Sequence, residues 1–260
     1  MSEADDLWRH WWQRTWQERH DAIEDALGPI ESEVASFSWP SIRVPGACAL
    51  TLPPVDVGSL CRPEWLYLSM GMSQPLSTAE DQERRAKREA HSGFGYEFAL
   101  LADRAAPWAP ELLYEMITYF TDPKASVVGW GDRIVFGVYM IDGAQHSLVG
   151  AVENRQPIGD LRALLVWPYR RRRHFLTSTG KTDLLVAIGI TGGEWELAKS
   201  TTSQHLVLLL EQIGIGQKTD LSRICLTRDS AAMAAWSDIK NLDAREAWNR
   251  ATSLVSAPAL

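Results

Sequence analysis

The stretch Ser92 to Leu101 constrains the fold more than any other. Two glycines, Gly93 and Gly95, lead straight into an apolar run with an aromatic ring at every second position. Successive side chains of a strand point to opposite faces, so Phe94, Tyr96 and Phe98 share one face and Glu97 takes the other. Trp65 to Met70 reads as a second strand ending at Gly71, and Pro107 to Phe120 as a helix. Residues 77 to 91 between the two strands are dominated by charge, as in a solvated helix or loop. The strands on either side can still pair as neighbours.

Helical spacing runs through residues 4 to 27, with Leu7, Trp8, Trp11, Trp12, Thr15, Arg19, Ile23, Ala26 and Leu27, and Gly28-Pro29 stops it. Such a helix either docks a partner through its aromatics or lies against its own domain. The second reading is favoured, because Trp12 and Trp16 fall beside the main stripe. Residues 30 to 64, punctuated by Pro40, Pro45, Pro53, Pro54 and Pro63, read as a loop-rich connection with a short strand at Ser41 to Val44. The Pro53-Pro54 pair excludes a regular central strand there.

Further strands are expected at Ile134 to Met140, at Leu161 to Trp167 and at Asp183 to Ile190, with a short one within Asp220 to Leu226. Asp183 to Ile190 is apolar almost throughout, as in a strand covered on both faces. One long helix should run from Trp195 to Ile213. Asp229 should cap a last helix through Met233, Trp236, Ile239 and Leu242, with a frayed end from Ser256. The alternation of elements gives an α+β fold, a mixed sheet packed by helices, with one parallel crossover near Ile188. The expected organisation is an amphipathic helix in residues 1–29 packed on a main domain of residues 30–226, then a C-terminal helix and tail in 227–260.

A chain of 260 residues can bury a substantial core, and twelve tryptophans favour packed cores or an aromatic interface. Lys and Arg number 26 against 33 for Asp and Glu, a formal net charge of -7. That balance suits a soluble cytoplasmic protein and disfavours general attraction to DNA or anionic lipid. Cys48, Cys61 and Cys225 are isolated, with no CxxC or Cys/His ladder to suggest zinc. The acidic start is unlike the head of a signal peptide, and no apolar run reaches the length of a membrane span.

No catalytic, cofactor or metal motif stands out. Gly189-Ile190-Thr191-Gly192-Gly193 joins a strand to a helix but lacks the lysine of a phosphate loop, so it reads as a tight chain reversal. The six histidines form no ligand pattern. His10 and His20 read as solvated, and His205 as packed or half-exposed. Glu97 and Asp132 could meet in the fold as any two acids could. Ser69 and Ser92 lack a nucleophile's setting. The sharpest charge feature is Arg170-Arg171-Arg172-Arg173 beside Tyr169 and His174. It suits an acidic protein ahead of RNA or phosphate, with a solvated loop as the equally weighted alternative.

Trp65-Leu66-Tyr67-Leu68-Ser69-Met70-Gly71-Met72-Ser73 resembles the WxYxTxGxS block of suppressor-of-fused domain proteins, and Ser92-Gly93-Phe94-Gly95-Tyr96-Glu97-Phe98 resembles their SGxGxELTFR block. Pro107-Trp108-Ala109-Pro110-Glu111-Leu112-Leu113 is similar to the family's PxxWPxxLLxxLARYV helix. Asp183 to Thr191 followed by Glu194-Trp195-Glu196-Leu197-Ala198 resembles FLQxVGIT and E-E-L-x-x-A, and Thr219-Asp220-Leu221-Ser222-Arg223 resembles the closing TDLxR. Two departures stand out. Ala99-Leu100-Leu101 replaces Thr-Phe-Arg, and Gly129-Trp130-Gly131-Asp132 stands where the family often has Gly-His.

The resemblance implies a suppressor-of-fused-like domain over residues 30–226 that binds a protein and is not an enzyme, with no cofactor and no catalytic residue to transfer. It implies structural roles for Trp65, Gly93, Gly95, Glu97, Trp108, Asp220 and Arg223. Single-domain bacterial relatives include immunity proteins of polymorphic toxin systems, so a cognate toxin is the expected partner. The residues expected to touch it are Tyr169, Arg170, Arg171, Arg172 and Arg173. A general protein-binding regulator and an enzyme with a dispersed site remain the alternatives.

Overall fold

The computed structural model describes residues 3–30, 35–37, 55–61, 64–74, 91–121, 137–140 and 161–256. The glycine-aromatic block forms the strand His91–Ala102, which is β4. Before it come β1 (Ala35–Phe37), β2 (Val55–Cys61) and β3 (Trp65–Met70). After it come β5 (Gly137–Met140), β6 (Leu161–Pro168), β7 (His174–Thr177) and β8 (Gly180–Thr191). They make one sheet in the order β1-β2-β3-β4-β8-β6-β5, with β7 beside the first part of β8. β4 and β8 run parallel, and the other pairs are antiparallel. The sheet is therefore mixed, and its parallel pair lies at the centre.

Strand alternation divides the core into two layers. On one face Phe98 and Leu100 of β4 and Leu185 of β8 meet Leu112, Leu113 and Ile117 of the helix α2 (Ala109–Thr121). The other face is covered by α1 (Glu3–Leu27), α3 (Gly192–Ser200), α4 (Ser203–Gln212), α5 (Ser230–Ile239) and α6 (Ala244–Ser256). There Leu101, Val186 and Ile188 pack with Ile23, Leu206, Trp236 and Val255. β8 is covered on both faces, as its apolar run requires. Along α1 every fourth residue is buried, Trp11, Thr15, Arg19, Ile23 and Leu27, so the helix lies against its own sheet. Its polar members are used as well. Arg19 Nη2 donates to the Met70 carbonyl and to Gln74 Oε1, both at 3.2 Å.

Several expectations are corrected. The long helix from Trp195 to Ile213 is two helices, because Ser200 and Thr201 hydroxyls donate to the Leu197 carbonyl and the chain turns extended at Thr202. Asp229 does cap α5, accepting from Ala231 and Ala232. That helix is not the last, since Asp243 Oδ1 accepts from Glu246 N and starts α6. Asp220 to Leu226 is no strand. Asp220 turns the chain by accepting from Ser222, and Leu226–Arg228 is a single 3₁₀ turn. Residues 30 to 64 contain a regular strand, β2, which begins at Val55, the first residue past the proline pair. β7 was not expected. Gly189, Gly192 and Gly193 have ordinary backbone angles and do not reverse the chain. Gly189 and Gly193 allow close packing, and a Cβ on Gly193 would meet Cys225 Sγ at 2.6 Å. Ser41 to Val44, the charged segment 77–90 and Asp132 lie outside the described residues.

Candidate protein-binding site

The arginine run sits where the outer neighbour of β8 breaks in two. Tyr169 N donates to the Leu184 carbonyl, and Leu184 N donates to the Arg173 carbonyl, each at 2.8 Å. One residue of β8 thus bonds to two residues four apart, and Arg170, Arg171 and Arg172 are pushed out of the ladder as a loop. Gln217 clamps the base of this loop. Its Nε2 donates to the Pro168 carbonyl at 2.6 Å, and its Oε1 accepts from Arg170 N at 2.8 Å.

The four arginines divide into two pairs. Arg170 Nη1 donates to Glu211 Oε2 at 2.6 Å, and Arg171 Nη2 to Glu64 Oε2 at 3.0 Å. Glu64 also faces Lys218 Nζ at 3.4 Å, and that amine reaches Asp103 at 2.9 Å. The Asp103 hydrogen bond and the two acids hold the Lys218 amine above its ordinary range. Arg172 and Arg173 are exposed and meet no acid among the described residues. Their field is felt next door. Burial first, then Lys181, Arg173 and Arg172, push the His174 imidazole below its usual value, with Asp183 opposing.

Tyr169 differs from the arginines, since its ring is buried in the core. With Leu27, Leu60, Leu66 and Leu101 it walls a cleft of about 80 Å³ that Arg171 and Arg172 also line. Such a space takes one aliphatic side chain. It falls well below the several hundred Å³ usual for small-molecule pockets. Glu64, Glu211 and Gln217 were not legible as partners of the loop, because they lie 107, 41 and 47 residues from the arginines they hold.

The residues marked by family resemblance lie elsewhere, around two buried acids. Glu97 is fully buried. It accepts from Ser69 Oγ at 2.5 Å, Met72 N at 3.2 Å, Ser73 N at 2.8 Å and Ser73 Oγ at 2.6 Å. Burial pushes its carboxyl up, and Arg19 and the serine hydroxyls pull it down without cancelling the rise. Gly93 makes room for this turn. It has φ +53°, and a Cβ there would lie 2.4 Å from the Gln74 carbonyl oxygen. Gly95 has φ +88° and faces His91. Trp65 stacks on Tyr67 with ring centroids 6.1 Å apart, and Trp108 packs half-buried at the start of α2.

At the far end of β8, Arg223 forks onto both oxygens of Glu194 and donates to the Gly189 carbonyl at 2.9 Å. Glu194 also accepts from Thr191 N and Leu226 N. Asp220 is held below the ordinary carboxylate range by its hydrogen bonds from Ser222, against some burial. His205 is buried, with Nε2 donating to the Leu242 carbonyl and Nδ1 accepting from Thr202. Among the described residues no group of three or more His, Cys, Asp or Glu could hold a metal ion, and no helix is long and apolar enough to cross a membrane.

A family model described as Suppressor of fused protein (SUFU) matches residues 52–224. The chain belongs to the suppressor-of-fused family. Solved structures agree on the fold. A Sufu–Fu complex structure matches with TM-score 0.58 and 13% identity, over 88% of this chain and 97% of that one. A putative SUFU homolog from Neisseria gonorrhoeae matches with TM-score 0.51 and 14% identity, over 82% and 97%. Drosophila Suppressor of Fused matches at TM-score 0.48 and 17% identity over 70% of this chain, which spans 46% of the fly protein. No curated protein matches the chain in sequence.

Proposed function

We propose that this suppressor-of-fused chain is a non-enzymatic protein-binding module, and that it serves as an immunity protein neutralising a toxin domain of a bacterial polymorphic toxin system. One observation carries the binding reading. Among the described residues Arg172 and Arg173 meet no acid, and they stand on a loop whose base is clamped, beside a cleft sized for a single side chain. Guanidinium groups offer forked donors to carboxylates, and a narrow apolar cleft anchors one residue of a macromolecule better than a substrate.

The net charge of -7 disfavours a polyanion such as RNA at long range. A short acidic segment would meet the arginines locally, while a basic or mixed surface on the rest of the partner suits the remaining acidic face. The fold's presence in a Sufu–Fu complex supports protein binding, and its match to nearly all of a Neisseria homolog supports a bacterial setting. In this reading the protein acts in the cytoplasm of the producing cell. Co-expression with the toxin encoded beside its gene should restore growth. Toxicity that persists despite a soluble, folded chain would remove the immunity role and leave a general protein-binding regulator.

A further inference from the structure

The cleft beside the arginine loop joins two chemistries at one point. Its buried lining is apolar, with Leu27 at the end of α1, Leu60 of β2, Leu66 of β3, Leu101 of β4 and the Tyr169 ring. Its exposed lining is Arg171 and Arg172, and Ala26 and Glu64 are half-buried between the two. All of these belong to the described residues. Two local features make the space. Ala26 puts only a methyl group on the cleft side of α1, and that helix stops at Gly28, whose φ is +96°. An empty apolar cleft forfeits dispersion contacts that an occupant of the right size restores.

The charges around the cleft do not balance. Glu64 is held by Arg171 at 3.0 Å and by Lys218 at 3.4 Å, and Lys218 also reaches Asp103 at 2.9 Å. These two acids and two bases match one another. Arg172 is exposed and meets no acid among the described residues, so a guanidinium stands beside an apolar space of about 80 Å³. Such a group takes a carboxylate as a fork, and the space beside it takes an aliphatic side chain. The volume is too small for the ring system of a tryptophan. The loop is also held at its base, where Gln217 bonds to Pro168 and Arg170 and Tyr169 N bonds to Leu184. A site that is already ordered loses little entropy on binding.

We propose that the cleft takes one leucine-sized side chain of the partner protein, with an aspartate or glutamate next to it in the partner's sequence seated on Arg172. This rests on the protein-binding reading and names the chemistry of the contact. The aliphatic group supplies the buried anchor, and the arginine selects the residue beside it.

The probe is an acetylated, amidated glycine peptide carrying one leucine followed by one glutamate. It is titrated at millimolar concentration into the full chain and followed by leucine methyl resonances. Its controls carry tryptophan for the leucine or lysine for the glutamate. Ala26→Leu fills the cleft from a half-buried helical position that leucine suits. Arg172→Glu changes an exposed group only. Unfolding midpoints equal to or above that of the wild type show that both variants fold.

The probe should shift the methyl resonances of Leu27, Leu60, Leu66 and Leu101 and show contacts from its own leucine to them. Either control peptide, Ala26→Leu and Arg172→Glu should each weaken binding by about tenfold or more. Equal binding to Ala26→Leu, or shifts confined to the arginine loop, would overturn the anchor and leave an arginine-only contact, with the protein-binding reading intact. No binding of the probe would overturn it as well. So would contacts to the same methyls from a second copy of the chain or from another segment of this one. Only the additional absence of any protein partner in capture and growth-rescue experiments would reach the broader reading.

Discussion

Arg171 meets the Glu64 carboxylate at 3.0 Å across 107 residues of sequence. That pairing, with the one between Arg170 and Glu211, neutralises the first half of the arginine run. The second half is left exposed at the start of β7. A charge run that reads as uniform in sequence is therefore half scaffold and half exposed surface. Exposed ion pairs contribute at most about 1 kcal/mol, so the first two arginines position the loop more than they stabilise the fold.

The buried pair of Arg223 and Glu194 is a different case. Glu194 is fully buried and Arg223 nearly so, and the acid also ties Thr191 and Leu226. Arg223→Met should leave an unpaired buried carboxylate and lose about 3–5 kcal/mol in urea unfolding. A loss under about 1 kcal/mol would mean that the pair is solvated in solution.

Glu97 gives a pH dependence of defined sign. Four donors and Arg19 favour its ionised form, burial favours the neutral one, and burial is the larger effect. A folded carboxyl held above its unfolded value contributes stability that is present below the unfolded value and lost as pH rises through the folded one. The stability of the wild type relative to Glu97→Gln should therefore fall as pH rises from about 4, where unfolded glutamate titrates, and then level off. Urea midpoints of both proteins across that range would show it. A difference that grows with pH would show that the donors outweigh burial.

The aromatic face of β4 grades from core to rim. Phe98 is fully buried, with its ring centroid 5.2 Å from that of Tyr96, whereas Phe94 is only half-buried. Phe98→Ala should cost about 3–5 kcal/mol. Phe94→Ala should cost distinctly less. Equal losses in chemical denaturation would contradict the burial gradient.

What the sequence made legible follows from the range of the forces involved. β3, β4, β6 and β8 show as apolar runs because each strand's own residues carry the pattern, and α2 and the Asp229 cap are likewise local. The breaks at Thr201 and at Asp243 are decided by single hydroxyl and carboxylate hydrogen bonds that compete with an otherwise continuous helical period. β7 has four residues and only alternates once the register with β8 is known. Ser69 and Ser73 lie in the block that resembles the family, but their role as donors to Glu97 needs the pairing of β3 with β4. The loop's acids come from distant elements, and nothing local marks them.

One sheet joins both halves of the chain, since β4 lies between β3 and β8. Limited proteolysis should not release two separately stable halves cut near residue 150. Two folded fragments from such a cut would contradict a shared core.

The central claim is that the exposed pair Arg172 and Arg173 holds a protein partner. The most direct measurement is capture from the producing cell with wild type and with Arg172→Glu/Arg173→Glu side by side, followed by direct titration of whatever protein is retained. The account predicts a protein that binds the wild type, binds the double variant at least about tenfold more weakly, and leaves the unfolding midpoint of both chains alike. Equal retention by the two chains, or no protein retained by either, would contradict it.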